Sequence, residues 1–203
     1  MGTDNVSVDS LEGRLKESTL VILKPEALVA RIDQGIVDEY VKRVLELSIV
    51  LDKIFRFTPE SLEEFYSHIY QKIGIVRARL EFSYMTRLNS RALVISGPNA
   101  VACMRKIVGG YPEYSADGKL VGYRADFQPI RAPPGTIRGN LSSMSLDIAQ
   151  MIGISVPNLV HASDSPESYQ RETKILLGRG HISQGDFKPV KNEYLAWLNS
   201  LRS

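Results

Sequence analysis

His161 stands in the stretch Asn158-Leu159-Val160-His161-Ala162-Ser163, directly behind two apolar residues and just ahead of a helix-start signal. A lone histidine in such a place is by default a half-buried imidazole, hydrogen-bonded to hold a strand end. An imidazole nitrogen is also a good nucleophile near neutral pH and can attack phosphorus. For that task it needs an acceptor that fixes its tautomer. Glu172 lies seven residues after Ser165, about two helical turns, so it shares a face with the start of the helix that follows His161. Three cations have the chemistry to meet a phosphate. Lys24 sits where an apolar run ends against Pro25, a place where lysines are usually solvated. Arg138, in Pro134-Gly135-Thr136-Ile137-Arg138-Gly139, is flanked by glycine, which lets backbone pass close to a ligand. Arg105 stands beside Lys106 on a helical stretch, where a solvated face is the ordinary expectation. Taken singly, each has a bland explanation.

The elements that must position these residues follow from periodicity. Thr19 to Leu23 is a β-branched apolar run that reads as a buried strand, which proline prevents from continuing. From Gln34 to Leu47, apolar residues recur at helical spacing, and Ile49 to Phe57 reads as a second strand. Thr58 caps the next helix with Pro59 in its first turn, and Leu62, Phe65, Tyr66 and Ile69 share one side. A further helix is expected from about Ile73 to Met85. Ala92 to Ser96 is a third strand, and Asn99 to Val108 a helix that Gly109-Gly110 ends. Tyr111 to Pro134 keeps no period and reads as a long ordered loop, with a small hairpin near Asp117-Gly118. A short helix is expected over Leu141 to Ile152 and a fourth strand over Asn158 to Ala162. Ser165 caps the helix that Pro166 opens, and a last helix covers Asn192 to Leu201, with Tyr194 and Trp197 as a packing face. Strands and helices alternate without an internal repeat, which predicts an α/β chain or an α+β sandwich. No boundary divides it: residues 1–17 form a flexible lead-in, and 18–203 one domain.

Composition limits the function. The chain has 203 residues, 43% hydrophobic and 24% charged, as expected of a soluble globular protein. Its 25 basic and 23 acidic residues leave a net charge of +2. That is too balanced for a polyanion-binding surface, although a local Arg/Lys cluster remains open. Cys103 is the single cysteine, so neither an internal disulfide nor a cysteine zinc site can form, and a reducing compartment fits. No apolar run approaches the roughly 18 residues that span a bilayer. The polar opening has no secretory core, and its Met-Gly lacks the Ser or Thr that myristoylation prefers. A cytoplasmic location is expected.

The string from Asn158 to Ser168, followed by Arg171-Glu172, closely resembles the active-site signature of nucleoside diphosphate kinases. Thr19 to Ala27 and Pro134 to Gly139 match two further blocks of that family in the right order, and the resemblance runs from about Thr19 to Leu177. It implies a ferredoxin-like βαββαβ core with an antiparallel four-stranded sheet. It also implies transfer of the γ-phosphate of a nucleoside triphosphate to a nucleoside diphosphate. By position, His161 would be the phosphorylated nucleophile, Glu172 would orient its imidazole and Ser163 would support the site. Lys24 and Tyr66 would contact the moving phosphate, and Arg105 and Arg138 would hold the phosphate chain. Asn158 and Lys24 would touch the sugar hydroxyls. The resemblance further implies Mg²⁺ held mainly by the phosphates, with no protein ligand. Nucleoside di- and triphosphates would be the partners of a homo-oligomer, tetramer or hexamer, with no membrane and no specific nucleic acid.

The chain departs from the family at defined places. Tyr111 stands six residues after Arg105, where relatives carry a phosphate-contacting threonine. Insertions fall near residues 111–131 and 142–155, the first enlarging a loop that in relatives lines the nucleotide site and often meets neighbouring subunits. Val156-Pro157 replaces a Gly-Arg pair before Asn158. The aromatic residue that stacks on the base has no clear match; Tyr70, Ile73 and Ile75 stand in the relevant stretch. These departures define an alternative, a catalytically weak member acting as a nucleotide-binding or regulatory module. A non-catalytic nucleic-acid binder is disfavoured by the balanced charge and by the retained His161, Lys24 and Glu172.

Overall fold

Four of the β-branched runs meet in one sheet. The computed structural model describes residues 16–191 together with 196, 200 and 201. Its strands are β1 (Ser18–Leu23), β2 (Ser48–Phe55), β3 (Ser90–Ser96), β4 (Gly110–Tyr114), β5 (Leu120–Ala125) and β6 (Val160–Ala162). The main sheet has the order β2-β3-β1-β6, with every pairing antiparallel. This is the ferredoxin-like arrangement implied by the resemblance. Along β1, Leu20 and Ile22 face Leu62, Phe65 and Leu176, while Val21 and Leu23 face Met104, Val108 and Ile137. Alternate side chains thus enter separate cores on the two faces, which is why the run is apolar throughout instead of alternating.

The helices are α1 (Pro25–Val29), α2 (Asp33–Ile36), α3 (Pro59–Phe65), α4 (Ser67–Ile73), α5 (Ile75–Phe82), α6 (Ala100–Gly109), α7 (Ile137–Leu141), α8 (Leu146–Met151) and α9 (Pro166–Gly178). No helix among the described residues is long and apolar enough to cross a membrane.

Several expected helices are shorter or divided. The Gln34 to Leu47 helix is replaced by α2 and one π turn, Val37–Val41, closed by the Lys42 N–H on the Val37 carbonyl, after which turns lead to β2. The expected helix after Thr58 breaks at Tyr66, whose φ of −100° and ψ of 21° leave the helical region. The stretch from Ile73 to Met85 begins instead after Gly74 (φ 81°) as α5 and tightens to a 3₁₀ turn over Ser83–Thr86. The expected Leu141 to Ile152 helix is broken at Ser142, whose φ of −146° and ψ of 139° are extended; Leu141 ends α7 and α8 starts after the Ser145 cap. Tyr111 to Pro134 is less a loop than a second sheet: β4 and β5 pair across Asp117-Gly118. Most of the expected Asn192 to Leu201 helix, with Tyr194 and Trp197, and residues 1–15 of the lead-in lie outside the described residues.

Candidate active site

The β1–β6 register places Ile22 opposite His161 and Leu23 opposite Val160. One step beyond, Leu159 takes a left-handed φ of 64°; its carbonyl accepts from the Lys24 N–H at 2.8 Å and its own N–H donates to Glu26 Oε1 at 3.0 Å. These bonds lock the end of β1 to the start of β6, so Lys24 and His161 share one end of the sheet. Ser165 then caps α9, accepting from the Ser168 N–H at 3.1 Å, and the helix carries Arg171 and Glu172 back toward the strand.

Glu172 is almost fully buried. Its Oε2 accepts from Ser163 Oγ at 2.7 Å and lies 3.0 Å from His161 Nε2, while Oε1 accepts from Arg171 at 3.2 Å. Burial alone would raise its pKa, but His161 and the Ser163 hydroxyl outweigh it and hold the carboxyl below the ordinary glutamate range. An ionised carboxylate has no proton to give, so Nε2 donates in this bond, and in the tautomer that keeps it the lone pair is on Nδ1. The edges of Phe65 and Tyr66 pack against the imidazole, with centroids 5.2 and 5.8 Å away.

Lys24, Arg105 and Arg138 share the cleft with that histidine, Arg105 half-buried and the other two buried. Lys24 is only 5% exposed, contrary to the solvated default, and its Nζ lies 5.9 Å from the Phe82 ring centroid. Arg138, 6% exposed, donates to the carbonyls of Asn158 (3.3 Å), Asp126 (2.6 Å) and Val160 (2.6 Å). Burial first, and then the neighbouring Arg105, push its pKa down to about 10, so it stays charged at neutral pH. Arg105 is drawn off its expected solvated face and bonds the carbonyls of Tyr123 (3.2 Å) and Ala162 (3.3 Å). Burial lowers its pKa as well. The Tyr66 hydroxyl and Asn158 Oδ1 are buried and make no hydrogen bond among the described residues. Both residues line the cleft, where a ligand would supply the missing partners.

Lys24, Tyr66, Arg105, Arg138, Asn158, His161 and Glu172 all border one cleft of about 480 Å³, a volume in the range of small-molecule sites. Ser163 is the exception: fully buried, it braces Glu172 from behind and bonds the Leu20 backbone. Other wall residues carry no mark in the sequence pattern. They include His68, Phe82 and, from the first insertion, Ala125 and Phe127, whereas Asp164, also on the wall, stands within the signature string. Arg171 was legible as a neighbour of Glu172, but its second contact, to the Phe65 carbonyl at 3.0 Å, was not.

Residues 17–182 match the family model of nucleoside diphosphate kinase. This chain belongs to the nucleoside diphosphate kinase family. It is 35% identical over 191 residues to the nucleoside diphosphate kinase of Pyrobaculum aerophilum, a match covering 78% of this chain and 93% of that one. Against the nucleoside diphosphate kinase of Staphylothermus marinus it is 32% identical over 161 residues, covering 79% and 92%. The crystal structure of an NDP kinase from Pyrobaculum aerophilum is similar at a TM-score of 0.63 and 30% identity, covering 83% of this chain and 100% of that one. As a member of the family, this kinase is a nucleotide phosphotransferase.

Proposed function

We propose that the enzyme passes the γ-phosphate of a nucleoside triphosphate to a nucleoside diphosphate in two steps through a phosphohistidine at His161. The observation that carries this reading is the pairing of His161 Nε2 with buried, charged Glu172, which leaves the Nδ1 lone pair for a cleft lined by Lys24, Arg105 and Arg138. Nδ1 forms a bond to the γ-phosphorus as the bond to the bridging oxygen breaks, and the diphosphate leaves with that electron pair. A second diphosphate reverses the step, its terminal oxygen attacking phosphorus while Nδ1 recovers its lone pair. Positioned cations supply most of such a barrier reduction, because charge spreads over the phosphoryl oxygens. Arg105 and Arg138 would hold the phosphate chain, Lys24 and the Tyr66 hydroxyl would meet the moving group, and Asn158 with Lys24 would bind the sugar hydroxyls. Among the described residues no three His, Cys, Asp or Glu side chains are grouped to hold a metal ion. The Mg²⁺ implied by the resemblance would be held mainly by the phosphates, and when bound would neutralise part of their charge. Burial works against the charge of Asp164, but the Ser168 hydroxyl at 2.5 Å and Arg105 keep it ionised.

The test is incubation with γ-labelled ATP and Mg²⁺ followed by GDP. An acid-labile, base-stable phosphoprotein and transfer of label to GDP are expected, both lost in His161→Ala with the fold intact. Absence of any label in the parent protein would overturn the reading. Labelling without transfer would support the alternative, a catalytically weak nucleotide-binding or regulatory module, which the engagement of both arginines by backbone carbonyls favours. We further propose one domain over 18–203, a cytoplasmic location and a homo-oligomer, tetramer or hexamer. Exposed Tyr114, Leu120 and Val121 on the hairpin and Met151 and Ile152 at the end of α8 support an assembled state. Light scattering of the purified protein tests it.

A further inference from the structure

The first insertion is joined to the cleft at three points, all through its backbone. The Tyr123 carbonyl accepts from Arg105, the Asp126 carbonyl from Arg138 at 2.6 Å, and the Phe127 carbonyl from the Asn158 amide at 3.1 Å. Each donor is a residue assigned above to the phosphates or the sugar, so the segment lies along the length of a nucleotide bound there. Its side chains alternate. Asp126 turns its carboxylate back on the segment, accepting from the Gln128 N–H at 2.9 Å and pairing with Arg131, whereas Ala125 and Phe127 border the cleft. Phe127 is 49% exposed although its carbonyl is held by Asn158. Across the cleft Phe82 is differently placed: Tyr66 stacks on it at 4.4 Å and 8°, and the Lys24 ammonium also lies near the ring. An exposed aromatic ring on an anchored wall, beside groups suited to phosphate and sugar, suits one remaining part of a nucleotide. That part is the planar apolar base, which stacks readily on aromatic side chains.

We infer that Phe127, supplied by the insertion, is the residue on which the nucleobase packs. This rests on the nucleotide reading of the cleft and adds to it the source of base affinity. Because stacking is tolerant of base identity, the arrangement serves purine and pyrimidine diphosphates alike, with purines favoured by their larger face.

The experiment measures dissociation constants for ADP, CDP and base-free inorganic pyrophosphate on the full chain and on Phe127→Ala and Phe127→Trp. Loss of the ring is expected to weaken ADP binding roughly 5- to 100-fold, from the usual worth of one base–aromatic stack. CDP should lose less, pyrophosphate affinity should stay unchanged, and Phe127→Trp should restore ADP binding. Equal ADP affinity in Phe127→Ala and the parent would overturn the inference. So would a parallel loss for pyrophosphate, which would make the residue a support for the arginines. A change of oligomeric state with unchanged affinity would assign the ring to a subunit contact and would also overturn it. Failure of the parent protein to bind ADP at all would strike the underlying nucleotide reading instead.

Discussion

Glu172 concentrates two demands on one carboxylate, orienting His161 and accepting from Ser163, and both depend on its charge. Glu172→Gln keeps the shape and removes the charge. A hydrogen bond to a charged group is worth about 1.5–3 kcal/mol, so phosphohistidine formation should slow by roughly 10- to 150-fold; single-turnover labelling measures it. The same residue gives a pH signature. Its folded pKa lies below the ordinary value of 4.5, so its stabilisation is complete above that pH and is lost as pH falls through the lower, folded value. The stability gap between parent and Glu172→Gln should therefore be constant at neutral pH and close only in acid, as denaturant melts at several pH values would reveal. Tyr66 offers the opposite balance. Its buried hydroxyl has no hydrogen-bond partner among the described residues, and burial, then Glu172, hold it protonated. Tyr66→Phe should leave stability equal or raise it, by up to about 1–3 kcal/mol, while slowing transfer about tenfold or more. A loss of stability with full activity would show the hydroxyl to be structural.

At the scale of elements, glycines separate positions where the backbone is tight from positions where it is not. Gly139 in α7 adjoins Arg138, and a Cβ there would sit 2.2 Å from the Pro133 carbonyl oxygen and 2.8 Å from its carbon. Gly178 ends α9 with nothing within 4 Å of the same added atom. Alanine should thus destabilise by about 1–3 kcal/mol at Gly139, with weaker nucleotide binding as Arg138 shifts. At Gly178 it should stabilise by about 0.5–1 kcal/mol. Thermal melts of the two variants check the signs. The elements themselves were legible where one interaction dominates. The continuous apolar β1 run, the Ser165 cap with Pro166 and the Gly109-Gly110 stop all specify their structure locally. Tyr66 and the π turn at Val37–Val41 were not legible, because helical apolar spacing runs unbroken through both and tertiary packing decides where the chain bends. The cleft divides the same way. His161, Glu172, Lys24 and Arg138 stand in contiguous blocks, whereas Phe127 and His68 reach it only through the path of the chain. The burial of Lys24 and Arg105 likewise depends on what packs over them, which neighbouring residues in sequence do not reveal.

For the molecule as a whole, stability should decline on mild acidification through a site remote from the chemistry. His181 packs against Phe55 and Phe57 and bonds Ser61 Oγ at 2.8 Å. Burial, and secondarily Arg179, lower its pKa, so the folded state favours the neutral ring. Its contribution is complete above the ordinary value of 6.5 and is lost as pH falls through the folded value, since the unfolded chain takes up the proton first. The urea midpoint should fall between about pH 7.5 and 5.5, and His181→Gln should flatten that fall. The first insertion bears on the whole in another way. It meets Arg105, Arg138 and Asn158 through main-chain oxygens, which every amino acid possesses. Residue types at Tyr123 and Asp126 are therefore free to drift without touching those three contacts, but chain length there is not. A single added or deleted residue between Tyr123 and Phe127 would carry the carbonyls out of phase with their donors. A library of variants should tolerate substitution along this segment far better than insertion or deletion, the opposite of what a merely decorative surface loop would show.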